Sequence, residues 1–328
     1  MDDLFLGIDL GGSHISAWLL DRKGNTHNPF GKISINSNLS SDKLVDYLLD
    51  LINIRRNPTR NNNILAIGLA SPGPLDPYKG VIISPPNLPK IKNLEIVKIL
   101  REKTALSVFL VNDADAAVLS EHWLGAAKGF KNVIMLTLGT GVGSGVILNS
   151  RLQRGRGMAA EWGHTSIYSS ETRTCACGRR NCLEIFCSTE GLARTYCQKF
   201  GVRRTDLSSE FVQGISVTMR KLMDLKSEWA DVFETYCYDL AQGILNIVNV
   251  HHPDCIVLGG GIANLSMAEA VKEILEEEES YKLRPLLEGL EIKVSVNSQS
   301  GILGAAKYAM DSYDSETEKN RMDHGIVS

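Results

Sequence analysis

Apolar positions along the chain fall into short runs broken by glycine, and two of these breaks resemble each other. Leu4-Phe5-Leu6-Gly7-Ile8-Asp9-Leu10 runs into Gly11-Gly12-Ser13-His14 and continues as the apolar stretch Ile15 to Leu20. Roughly 130 residues later, Val133 to Leu138 leads into Gly139-Thr140-Gly141-Val142-Gly143-Ser144-Gly145 and returns through Val146-Ile147-Leu148. Each pattern predicts a buried strand, a tight glycine turn and a returning strand. The repetition predicts two related halves, each opening with a hairpin that can face a shared ligand.

Between these landmarks the period changes. Asp42 to Ile54 has helical spacing at Leu44, Val45, Leu48, Leu49 and Ile52, and a polar break follows over Arg55 to Asn63. Ile64 to Leu69 and Val108 to Val111 predict strands; Leu94 to Leu100 and Ala114 to Trp123 predict helices. Farther on, Thr189 to Phe200 and Trp229 to Val250 predict helices, and Cys255 to Leu258 and Glu291 to Val296 predict strands. An Ala-rich helix, Gly301 to Met310, closes the pattern, and the residues after Asp314 predict a polar, mobile tail. Strands alternating with helices make this an α/β protein. We place a hinge near residues 114–130 and expect the last helix to pack back on the first half.

A length of 328 residues predicts about two domains. Lys plus Arg is 35 and Asp plus Glu is 38, a net charge of -3, which excludes binding to nucleic acid or a membrane surface by bulk charge. No apolar run reaches the ~18–20 residues of a spanning helix. The start, Met1-Asp2-Asp3-Leu4-Phe5, lacks the basic opening of a secretory signal, so a cytoplasmic location is expected. The seven cysteines are an odd number, and a reducing compartment disfavours disulfides.

Three glycine-rich segments are candidate phosphate cradles: Gly11-Gly12-Ser13, Gly139-Thr140-Gly141 and Gly259-Gly260-Gly261. Asp9 stands before the first and is a candidate to hold Mg²⁺ directly or through water; Ser13 adds a hydroxyl. The alternative is three structural turns. No Walker A loop is present, because Gly31-Lys32 is followed by Ile33. Cys175, Cys177 and Cys182 put three thiols within eight residues, with His164 eleven residues before the first. Three Cys and one His complete a tetrahedral, closed and therefore structural Zn²⁺ site. Arg173, Arg179 and Arg180 around this cluster suggest a nucleic-acid zinc ribbon, but a single half-site without an aromatic platform argues against one. Asp113, after Asn112, reads either as a helix N-cap or as a general base in phosphoryl transfer. Glu161 and Glu184, flanking the cysteines, read either as solvated carboxylates or as partners for the hydroxyls of a polar ligand.

On these residues the chain resembles the ROK family of sugar kinases and repressors, its bacterial glucose kinases above all, within the actin-like, hexokinase-type ATPase superfamily. The resemblance runs from Leu4 to about Met310 and is most specific in Glu161-x-Gly163-His164 and Cys175-Ala176-Cys177-Gly178-x-x-x-Cys182-x-Glu184. It implies two actin-like (ribonuclease H-like) domains of mixed sheets flanked by helices, with a cleft between them: residues 1–115 closed by a helix at about 301–313, residues 116–300 carrying the zinc motif, and a tail 314–328. It implies zinc on His164, Cys175, Cys177 and Cys182, and sugar contacts from Asn87, Asn112, Asp113, Glu161, His164 and Glu184, with Asp113 the catalytic base. It also implies that Gly11, Gly12 and Ser13, then Gly139, Thr140 and Gly141, then Gly260 and Gly261 serve ATP.

Three positions depart from the family pattern, the first being Ser13, which stands for a threonine and keeps its hydroxyl. That first loop usually reads Gly-Gly-Thr-Lys, and here His14 replaces the lysine; the base is usually followed by Ala-Asn, and here by Ala114-Asp115. The family's repressors carry an N-terminal helix-turn-helix, whereas the first strand here is expected at about Leu4. The expected activity is therefore ATP- and Mg²⁺-dependent phosphorylation of a hexose, glucose first, in a homodimer or homotetramer. N-acetylhexosamine, mannose or fructose as substrate, and a non-catalytic sugar sensor, are the alternatives.

Overall fold

The computed structural model describes residues 3–27, 32–55, 63–169, 171–212, 214–215, 229–278 and 281–323. The chain divides into two compact units, Met1–Leu124 with Arg154–Ala159 and Asn297–Ser328, and Gly125–Gln153 with Ala160–Val296. No helix among the described residues is long and apolar enough to cross a membrane.

In the first unit, β1 (Asp3–Leu10) and β2 (His14–Asp21) form an antiparallel hairpin around the first glycine loop. The short β3 (Thr26–His27) and β4 (Ile33–Ser34) extend it beyond β2. On the other side of β1, β5 (Asn63–Ser71) pairs parallel, and it leads through a small hairpin of β6 (Leu75–Asp76) and β7 (Val81–Ile82). The edge strand β8 (Ser107–Asn112) pairs parallel with β5.

Alternation along β1 assigns its two faces. Leu6, Ile8 and Leu10 share a core with helices α1 (Ser41–Arg55) and α2 (Ile96–Thr104). Phe5 faces the other way, against the closing helix Ser300–Asp323. That helix comes so close that a Cβ on Gly68 of β5 would lie 1.8 Å from the Ala305 carbonyl oxygen. Only glycine permits this approach. Helix α3 (Asp113–Leu124) packs on the same helix, so the first unit runs to Leu124 rather than to residue 115.

The closing helix is also longer than expected. Residues 314–323, read above as tail, continue it, because its polar side is anchored by distant partners. The two terminal Arg22 guanidinium nitrogens donate to Asp314 at 2.9 Å, and Arg101 donates to Glu316 at 3.2 Å. Residues 324–328, like most of the polar break at 56–62, lie outside the described residues.

The second unit repeats the plan. β9 (Val133–Leu138) and β10 (Val142–Leu148) are the antiparallel hairpin, β11 (Arg151–Leu152) lies beyond β10, and β12 (Cys255–Gly259) and β13 (Glu291–Val294) add parallel strands beside β9. Ile134, Leu136 and Leu138 share one core with helices α4 (Leu183–Cys187), α5 (Thr189–Phe200) and Ala230–His251. The halves read from the two glycine hairpins are thus two copies of one mixed-sheet architecture, with helices packed against each sheet.

Candidate active site and metal centre

In the first unit, parallel β1, β5 and β8 bring their carboxyl ends to one sheet edge, with Asp9 beside Ala70 and Ser71 beside Asn112. Carboxyl ends of parallel strands are where α/β sheets bind ligands. Asp9 lies against the first turn of the closing helix, where a Cβ on Gly301 would come 2.6 Å from its carboxyl carbon. Burial raises the Asp9 carboxyl to about 6, with the Lys32 charge opposing.

The glycine loop after β1 is tied on both sides. Gly11 N–H donates to the His14 carbonyl at 2.9 Å, and Ile35 N–H donates to the Ser13 carbonyl at 2.9 Å. Ser13 is exposed, and its Oγ lies 3.2 Å from His14 Nδ1. Gly12 approaches Asn87 so closely that a Cβ there would sit 3.1 Å from the Asn87 Cβ, so Asn87 stands beside the loop. Desolvation, aided by Lys32, lowers the His14 pKa.

At the end of β8, Ala114 N–H donates to both Asn112 Oδ1 and Asp113 Oδ1 at 2.9 Å; Asp113 is already the first residue of α3, so the capping residue is Asn112 and not Asp113. Asp113 is exposed, whereas Asp115 is 5% exposed. Residues two apart on a helix do not face each other. The extra carboxylate that marks this chain therefore lies in different surroundings from Asp113.

In the second unit the loop after β9 is held from α5. The Gly139 carbonyl accepts from the Thr189 N–H at 2.8 Å and from its hydroxyl at 3.0 Å. Gly260, at φ 87°, fits against this loop's root, where a Cβ would lie 2.3 Å from the Leu138 carbonyl oxygen. Gly139, Thr140, Gly141, Gly260 and Gly261 thus cluster at one edge of the second sheet. Helix Leu265–Glu277 begins just beyond, capped by Asn264 Oδ1 accepting from Met267 N–H at 2.9 Å.

The cysteine segment folds into a knuckle. Cys175 N–H donates to the Arg179 carbonyl at 2.8 Å and Gly178 N–H to the Cys175 carbonyl at 2.9 Å. The ligand atoms of His164, Cys175, Cys177 and Cys182 all lie within 4.8 Å of one another. Cys177 Sγ is 3.6 Å from Cys182 Sγ, and Cys175 Sγ is 3.8 Å from His164 Nδ1. A tetrahedron with Zn–S bonds of ~2.3 Å has edges of about 3.8 Å, so donor set and spacing both fit zinc. Burial pushes the Cys182 thiol up to about 12 and raises Cys175, while the Arg179 amide lowers Cys177.

Glu184 joins this centre to the second glycine loop. Its Oε2 accepts from Val142 N–H at 3.1 Å, and its Oε1 lies 3.7 Å from Cys175 Sγ. Glu161 precedes the short 3₁₀ turn Trp162–His164. Its carboxyl is raised by desolvation, with Glu184 adding and His164 opposing.

Sequence reasoning gave no structural role to Arg173. It is 8% exposed and donates to Glu171 at 3.0 Å, the Gly191 carbonyl at 3.3 Å and Thr195 Oγ1 at 3.3 Å, with its guanidinium over the Phe186 ring. It braces the knuckle from within and is not a surface cation. Nothing local in the sequence signals this, because most of its partners lie on α4 and α5.

The ROK family profile matches residues 5–312. A glucokinase of Halalkalibacterium halodurans is 29% identical over 314 residues, 92% of this chain and 94% of that protein. A xylose repressor of Caldicellulosiruptor bescii is 31% identical over 264 residues, 77% of this chain and 65% of the repressor. The crystal structure of a ROK hexokinase from Thermus thermophilus superposes with a TM-score of 0.76 at 30% identity, covering 95% of this chain and 99% of that one. With the family profile spanning nearly its whole length and both glycine hairpins and the cysteine knuckle in place, this chain belongs to the ROK family.

Proposed function

We propose that this chain is an ATP- and Mg²⁺-dependent hexose kinase whose first substrate is glucose, phosphorylated at its 6-hydroxyl. The observation that carries the reading is the sheet edge of the first unit. There Asp9, Gly11-Gly12-Ser13, Asn87 and Asn112-Asp113 meet at the carboxyl ends of parallel strands. Similarity to glucokinases over nine-tenths of the chain supports it.

Asp113 accepts the proton of the attacking hydroxyl, and its exposed carboxylate is open to a bound substrate. Asn87, Asn112, Glu161, His164 and Glu184 orient the sugar hydroxyls. The glycine loops at Gly11–Ser13 and Gly139–Gly141 hold the phosphates, and Gly260 and Gly261 flank the adenosine. Asp9 would hold Mg²⁺, directly or through water, and the ion would supply neutralisation of the phosphate charge. Catalysis is then mostly alignment and electrostatics. Zinc on His164, Cys175, Cys177 and Cys182 is structural. His164, whose Nδ1 faces the Cys175 sulfur at 3.8 Å, would bind such a metal through that nitrogen and leave its other ring nitrogen to hydrogen-bond a sugar hydroxyl.

A second reading, a non-catalytic sugar sensor, is favoured by the 31% identity to a xylose repressor. A coupled ADP-release assay with Mg·ATP and a panel of glucose, mannose, fructose and N-acetylhexosamines separates the two. Hexose-dependent turnover is expected. Thermal stabilisation by a sugar without turnover moves the protein to the sensor reading.

A further inference from the structure

The first glycine loop carries no fixed positive charge of its own. Its one ionisable side chain, His14, is biased toward the neutral form and lies within hydrogen-bonding distance of Ser13. The phosphates of a nucleotide carry several negative charges, and a basic side chain beside them forms strong charge-assisted hydrogen bonds.

Strand register brings one from outside the loop. β1 pairs Asp9 with Ser16 on β2. β4 pairs Ser34 with His14 and Ile33 with Ile15; Lys32 directly precedes β4, and this register continued by one residue sets it opposite Ser16. Directly opposed residues of antiparallel strands share a face. On that register the Asp9–Ser16 pair of β1 and β2 continues toward Lys32 in one row, and Asp9 at its inner end meets the first turn of the closing helix. Two strand spacings are about 10 Å, a gap that a lysine stem largely closes. The Lys32 charge is felt at the loop, where it disfavours the protonated form of His14. Between the two charged residues, Ser16 is 3% exposed and its Oγ is buried without a hydrogen-bond partner. An unpartnered buried hydroxyl is uncommon and marks a place where a polar group belongs.

We propose that Lys32 is the cation of the first phosphate loop, binding a phosphate oxygen of the nucleoside triphosphate, with the Ser16 hydroxyl completing the row. This rests on the kinase reading above and names the residue that recognises the donor.

The test is calorimetric binding of a non-hydrolysable Mg·ATP analogue to the whole chain, alongside steady-state kinetics. Lys32→Gln should weaken analogue binding and raise the KM for ATP by about tenfold, flatten the salt dependence of binding, and leave the KM for hexose within about twofold. Lys32→Arg should bind within about threefold of wild type, and adding His14→Lys to Lys32→Gln should recover most of the loss. An unchanged melting temperature shows that the variant is folded. Analogue binding by Lys32→Gln within about twofold of wild type overturns the proposal. If wild type binds the analogue but turns over no sugar, the kinase reading falls while the binding comparison still decides the role of Lys32.

Discussion

Glu184 accepts a hydrogen bond from the Val142 N–H at 3.1 Å while its other oxygen lies 3.7 Å from the sulfur of Cys175. One carboxylate thus ties the second glycine loop to the cysteine knuckle. The contact leaves no room beside Gly141, where a Cβ would meet Glu184 Oε2 at 2.6 Å. Glu184→Ala should lower kcat/KM by about 10²-fold and raise the KM for both hexose and ATP. A residue that only touched sugar would move the hexose KM alone, so the two KM values measured together decide between these roles.

The knuckle makes its own prediction. Metal analysis of protein purified without chelator should find about one zinc per chain. Cys177→Ser or prolonged chelation should lower the melting temperature by several degrees and raise the hexose KM, because Glu161, His164 and Glu184 all hang from this segment. A zinc-free preparation with full activity would contradict the assignment.

The Asp9 carboxyl, at about 6 in the fold against its ordinary 3.8, sets a pH dependence of known sign. The folded protein holds this proton more tightly than the unfolded chain does. The stability it contributes is complete below about pH 4 and is lost as pH rises through about 6. Asp9→Asn should therefore match wild type near pH 4 and exceed it at pH 8 by up to about 3 kcal/mol in metal-free denaturation experiments, while losing most kinase activity. Equal pH profiles for the two proteins would refute this.

Packing of the closing helix on the first sheet is tested at Gly68. A methyl there meets the Ala305 carbonyl oxygen at 1.8 Å, and neither backbone can yield freely. Gly68→Ala should cost about 3 kcal/mol in urea unfolding. A loss below about 0.5 kcal/mol would mean that the helix sits farther from the strand.

Local signals made part of this molecule readable. The two glycine hairpins stand out because strand periodicity and turn chemistry agree at Leu4–Leu20 and Val133–Leu148. The candidate metal ligands stand out because Cys-x-Cys in a polar segment has no packing explanation, and the fold brings them together with His164. What escaped depends on distant partners. The chain after Asp314 reads as tail until Arg22 and Arg101 bind it. Arg154–Ala159 belongs to the first unit, where the Arg154 guanidinium lies 4.9 Å from the Tyr78 ring centre and 4.8 Å from that of Tyr308. Lys32 reads only as a failed Walker A lysine until β4 is paired with β2. No period along the chain encodes such pairings.

The central claim is that Asp113 removes the proton from a sugar hydroxyl during phosphoryl transfer. The most direct measurement compares wild type with Asp113→Asn for glucose 6-phosphate formation at saturating Mg·ATP, with glucose binding measured separately by calorimetry. With Asp113 as the base, kcat should fall at least about 10³-fold while the glucose Kd stays within about threefold. Turnover within tenfold of wild type, or no turnover by wild type itself, would contradict it.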